Sequence, residues 1–158
     1  MRMRTLALLL SLFLAAPVFP ALANEKPSYS EQADRIYQEC VKKAYGNSDK
    51  YLTPTEQTEI IDKSYKELDK LLNETWKETR RFLKNADPAL FDQLLADQRT
   101  WLKFADNFAT AVYGGFGGGG SMYRSMGMDA QMELWVLRIK YLDTILRYVA
   151  EVHGAPAK

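Results

Sequence analysis

Few residues in this chain are equipped for covalent or metal chemistry. There is one histidine, His153, and one cysteine, Cys40. A cysteine or serine nucleophile needs a base held beside it. His153 stands five residues from the C-terminus, and no nucleophile signature surrounds it or Cys40. A single cysteine excludes an internal disulfide and any multi-cysteine metal site. Inward carboxylates with Glu-x-x-His spacing, the ligand pattern of di-iron bundles, are also missing. Gly115, Gly117 and Gly120 satisfy G-x-G-x-x-G. The match falls inside a glycine run that follows a helical pattern, without the βαβ unit that makes the motif bind a nucleotide. Carboxylates are plentiful, but no acidic pair stands out as the two groups a glycosidase holds across a cleft. The expectation is a chain with no catalytic residue, no metal and no cofactor.

Two features remain. The first is a set of polar residues on or beside apolar helical stripes: Asn73, Gln98, Arg99, Asp106 and Arg138. A buried polar group without a partner costs about 1–3 kcal/mol. Several on facing helices therefore predict a shared hydrogen-bond network that fixes helix register. The second is the segment from Gly114 to Gly120, which holds six of the chain's nine glycines, flanked by Tyr113, Phe116, Ser121, Met122, Tyr123 and Arg124. Loops on a rigid scaffold often carry function, and aromatics and arginine are favoured interface anchors. Phe116, Ser121, Tyr123 and Arg124 are the candidate partner-binding residues.

These groups must be positioned by helices. Ala33, Ile36, Tyr37, Cys40, Val41 and Ala44 recur at the helical period, which predicts a helix over residues 30–45. Ser28 with Glu31 reads as its capping box, Gly46-Asn47 ends it, and Cys40 is expected on its buried face. Thr53-Pro54-Thr55-Glu56 starts a second helix with Thr at the N-cap and Pro at the first position. Its stripe runs Ile61, Tyr65, Leu68, Leu72, Thr75, Trp76, Thr79, Phe82, Leu83, opposite a charged, solvated face. Asp87-Pro88 opens a third helix ending at Gly114. A loop is expected through Gly127, then a fourth helix from about Asp129 to Val152. No segment alternates as a strand does. The expected fold is all-α: a small antiparallel bundle of about four helices, with a Gly-rich loop before the last.

The N-terminus reads as a targeting segment. Met1-Arg2-Met3-Arg4 is a basic n-region, residues 6–18 form an apolar h-region, and Ala21-Leu22-Ala23 is an A-x-A cleavage site. Residues 1–23 are thus expected to be a signal peptide, leaving 24–158 as one exported, periplasmic or secreted domain without a stable membrane anchor. Loss of Arg2 and Arg4 would move the formal charge from +1 to −1. Near-neutral charge excludes a strongly basic nucleic-acid binder.

The stretch from Thr53 to Leu146 resembles the N-terminal domain of the LprI-type lysozyme inhibitors. Thr53, Thr55, Glu56, Thr58 and Glu59 look like that family's helix start, and Asp69 with Leu72-Asn73 like its Leu-Asn element. Gln98-Arg99-Thr100-Trp101 looks like its central motif, continued by Phe104-Ala105-Asp106; Gly119-Gly120-Ser121, Arg138 and Leu142 complete it. Members usually carry cysteine pairs, which this chain lacks, and Ala105 stands where an arginine is common. The resemblance implies binding rather than catalysis, by occlusion of a lysozyme's active-site groove. It makes Asn73, Gln98, Arg99, Trp101, Asp106 and Arg138 a structural polar network. The alternative is an envelope domain that binds another envelope protein or a peptidoglycan fragment.

Overall fold

The computed structural model describes residues 27–46, 51–115 and 121–154; the side chains of residues 109, 113–115 and 121–124 lie outside that description. The segment expected to be a signal peptide, and Phe116, lie outside the described residues. Four helices follow one another: α1 (Tyr29–Tyr45), α2 (Pro54–Ala86), α3 (Pro88–Gly115) and α4 (Ser121–His153). No strand occurs among the described residues, so the all-α expectation holds.

Helix starts follow local chemistry. Ser28 Oγ accepts from the Glu31 backbone N–H at 3.2 Å, and the Glu31 carboxylate accepts from the Ser28 N–H at 2.8 Å. Thr53 and Glu56 make the same reciprocal pair at 3.3 and 2.8 Å, with Pro54 at the first position. Each box satisfies donors that a helix start leaves open. Asp87 Oδ1 accepts from the Leu90 N–H at 2.9 Å, capping α3 directly after α2 ends.

The start of α4 departs from the sequence reading. Residues 121–127, expected as loop, are helical from Ser121 onward. One glycine inside a helix costs only about 1 kcal/mol, and packing offsets it here. Ser125, Gly127 and Met128 are buried, and Ser125 Oγ lies 3.5 Å from Thr58 Oγ1 of α2. Ser121, Tyr123 and Arg124 therefore belong to the first turn of α4 rather than to a loop.

Successive helices run antiparallel. Along α1 and α4, Ser30 meets Asp143, Tyr37 meets Glu133 and Cys40 meets Met132. The broadest interface, however, joins α2 to α4, which run parallel: Thr58 faces Ser125, Tyr65 faces Gln131 and Asp69 faces Trp135. Helix α4 touches all three others, whereas α1 and α3 do not meet among the described residues. The bundle is thus flattened about an α2–α4 diagonal. Ile61, Leu68 and Leu83 of α2 and Met132, Ile139 and Leu142 of α4 are fully buried along it.

Truncating that diagonal removes apolar burial and leaves a cavity. Leu68→Ala is expected to cost about 2–5 kcal/mol and Thr53→Ala about 1 kcal/mol. Urea unfolding followed by circular dichroism measures both.

Candidate functional site

Arg138 is a buried charged side chain held on several sides. Its side chain is only 6% exposed, in a helix whose neighbours are Leu137 and Ile139. Nε and Nη2 donate to Gln98 Oε1 at 2.8 and 2.6 Å, and Nη2 also donates to Asp97 Oδ2 at 2.7 Å. The guanidinium lies 5.3 Å from the Trp101 ring centre and 4.9 Å from that of Tyr141, within cation–π range of both. A buried charge must be paired and hydrogen-bonded, and α3 supplies both needs from adjacent residues.

The contacts continue across the bundle. Trp101 packs edge-on against Trp135 at 5.1 Å, and Trp135 against Tyr65 at 5.2 Å. Trp135 Nε1 donates to Asp69 Oδ1 at 3.2 Å, while Asn73 Nδ2 donates to the other Asp69 oxygen at 3.2 Å. One continuous chain therefore runs from Asn73 and Asp69 on α2, through Trp135 and Arg138 on α4, to Trp101, Gln98 and Asp97 on α3.

This brings together four of the six residues expected to share a network: Asn73, Gln98, Trp101 and Arg138. Asn73 joins from the exposed end, through Asp69. Arg99 and Asp106 do not join. Both lie on the exposed side of α3, because they are displaced by roughly 100° and 80° from Gln98 on the helical wheel. Asp97 and Tyr141 were missed; each looks like an ordinary surface residue until the fold places Arg138 beside it. Of the expected partner-binding residues, Ser121, Tyr123 and Arg124 have described backbones only, and Phe116 is not described.

A second cluster sits between α1 and α4. Tyr37 Oη donates to Glu133 Oε1 at 2.8 Å. One turn before Glu133, the Asp129 Oδ1 atom is buried without a hydrogen-bond partner. Burial, and then the Glu133 charge, push the Asp129 carboxyl above its ordinary range, against a smaller opposing pull from the Tyr37 hydroxyl. Cys40 is 1% exposed, with Sγ 4.0 Å from Met132 Sδ, and burial pushes its thiol upward. It is a core residue, as its place on the α1 stripe predicts.

Among the described residues, no group of three or more His, Cys, Asp or Glu is arranged to hold a metal ion, and no helix is long and apolar enough to cross a membrane. The fold and the cluster define a small protein, all-helical among the described residues, in which one buried arginine ties α3 to α4 and Trp135 extends the contacts to α2. Residues 48–142 match the family described as Lysozyme inhibitor LprI, which spans more than half of the sequence, and the chain belongs to that family. No curated protein and no solved structure matches it.

Three outcomes follow from these clusters. Arg138→Ala orphans the buried Gln98 oxygen and strips the packing between Trp101 and Tyr141, so it should cost about 3 kcal/mol. Asp97→Asn leaves the buried guanidinium without its carboxylate while Asp97 itself is half exposed, so it should cost about 1–3 kcal/mol. Both are read by urea unfolding. For Asp129 the folded state binds the proton more tightly than the unfolded chain. Its contribution is therefore favourable below pH ~4 and is lost as pH rises through the folded value. Asp129→Asn should raise Tm at pH 7, with the gain shrinking toward zero near pH 4 in a thermal-melt series.

Proposed function

We propose that this chain is an exported inhibitor that binds a lysozyme and blocks its substrate groove. The observation that carries this reading is the family match over residues 48–142, which contains every member of the Asn73-to-Asp97 chain. Lysozyme hydrolyses glycosidic bonds with two carboxyl groups flanking the scissile bond. A rigid bundle that covers the groove needs no chemistry of its own.

The remaining steps belong to the same proposal. Residues 1–23 direct export and are removed after Ala23, so the working protein is residues 24–158 in the periplasm or outside the cell. The glycine segment between α3 and α4, with Phe116, Ser121, Tyr123 and Arg124, reaches the groove. Small residues allow close backbone approach, and Arg124 supplies a cation for the carboxyl groups. The Asn73, Gln98, Trp101 and Arg138 contacts fix, at mid-helix, the register of α3 and α4, between which this segment runs.

The test is cell-wall lysis by chicken-, goose- and invertebrate-type lysozymes in the presence of purified residues 24–158. Stoichiometric inhibition of at least one type is expected, weakened by Arg124→Ala or by deletion of residues 117–119. Absence of inhibition at large molar excess over all three overturns the inhibitor reading. Undiminished inhibition by both variants overturns the role of the glycine segment.

A further inference from the structure

Helix α4 carries apolar groups on more than one side, a pattern that belongs to a helix with several neighbours. Three neighbours cover three of its sides. The fourth is open: Leu137, Tyr141, Tyr148 and Val152 recur at helical spacing with exposures of 64%, 47%, 63% and 58%. Across the seam on α3, Phe104 follows Trp101 by one turn and is half exposed, packed against Phe108. In a chain with 26% charged residues, such a stripe is not an ordinary solvated helix face. Thr144, also exposed, is the polar residue within this stretch, and a run of large exposed apolar groups on one helix marks a candidate interaction site.

We propose that this face, along the α3–α4 seam, is where a lysozyme docks, with Asp97 receiving a cationic side chain of the enzyme; this rests on the inhibitor reading above. Three observations select that occupant. First, the matched residues 48–142 contain α2, α3 and α4 as far as Leu142 but omit α1. An activity common to the family has to sit on the common elements; Leu137, Tyr141, Phe104 and Asp97 lie within them, whereas Tyr148 and Val152 extend the stripe beyond the matched residues. Second, the charges are arranged for one kind of contact. Lys140 and Arg147 turn away from the face, toward Asp34 of α1 and Asp143. Asp97 is half exposed, with Oδ2 bound to Arg138 and no hydrogen bond to Oδ1 among the described residues, and Glu133 and Glu151 are exposed along the same helix as the stripe. Carboxylates bordering exposed apolar groups fit an arginine or lysine flanked by apolar side chains. Third, the anchors are preorganised. Tyr141 is backed by the Arg138 guanidinium, which Gln98 and Asp97 hold in place. Aromatic groups in fixed positions lose little freedom on binding, which is the character of interface hot spots.

The face is separable from the core, so it can be tested without unfolding the protein. Leu137→Glu places a charge at its centre; Gln38→Glu adds the same charge on the exposed side of α1. Each exported variant is compared with the unaltered chain in lysis inhibition, in binding to the inhibited lysozyme by calorimetry, and in sedimentation, after melts confirm folding. Leu137→Glu should weaken binding and inhibition at least about tenfold, Gln38→Glu should leave them unchanged, and Asp97→Asn should slow association and flatten its salt dependence. Inhibition by the unaltered chain that Leu137→Glu does not diminish overturns the docking face and leaves the inhibitor reading standing. If the unaltered chain inhibits no lysozyme, both fall. A dimer of the unaltered chain that Leu137→Glu splits assigns the face to a second copy and overturns the proposal.

Discussion

The structure depends on one constraint: α4 carries more apolar surface than any single neighbour can cover. A helix 33 residues long with apolar groups on several sides needs more than one partner to bury them. Helix α2 takes the widest share by running parallel to it along the bundle diagonal, and α1 and α3 fill the two flanks. That arrangement explains why α1 and α3 stay apart, and why the most buried leucines and isoleucines come from α2 and α4. It also explains why α4 stays helical through Gly127. Burial against α2 outweighs a local penalty of about 1 kcal/mol.

Apolar packing alone does not fix how far α3 slides along α4. Arg138 supplies that register. Its charge can be buried only where Gln98 and Asp97 meet it together, and sliding α3 by one turn would separate them. The same geometry sets Trp101 against Trp135, and Trp135 in turn reaches Asp69 on α2. The buried guanidinium thus joins α3 to α4, and Trp135 carries the contact on to α2. Its net contribution to stability is modest, since desolvation offsets much of the pairing; its larger effect is on which arrangement is adopted.

Local signals in the sequence were the readable ones. Both capping boxes, Pro54, Pro88 and the α2 stripe act within a few residues of themselves, so their outcome does not depend on the rest of the chain. Gln98 and Arg138 were readable as network members because each interrupts an apolar stripe. Asp97 and Tyr141 carry no such mark. Their role comes from the neighbour that folding delivers, and in sequence they look like any solvated helix residue. Arg99 misled for the converse reason: it follows Gln98 directly, but one residue along a helix turns the side chain away by about 100°. The glycine run obscured the start of α4, because composition marks where a helix can break and not how much tertiary burial opposes the break.

The three flanks of α4 carry different kinds of contact. Toward α1 lie polar pairings, Ser30 with Asp143, Asp34 with Lys140 and Tyr37 with Glu133, together with the carboxyl of Asp129 that lacks a partner at Oδ1. Toward α2 lies the densest apolar core, and toward α3 the arginine cluster. The α1 flank holds the Asp129 carboxyl, which burial pushes above its ordinary range, and the family match does not include α1. The α3 flank holds side chains already locked by their neighbours, and it borders the exposed apolar stripe. A surface that binds another protein gains from groups that are fixed before the partner arrives, since less motion is then lost on contact. By that criterion the stripe beside α3 is better prepared for a partner than the surface beside α1, where a buried carboxyl oxygen of Asp129 lacks a hydrogen-bond partner.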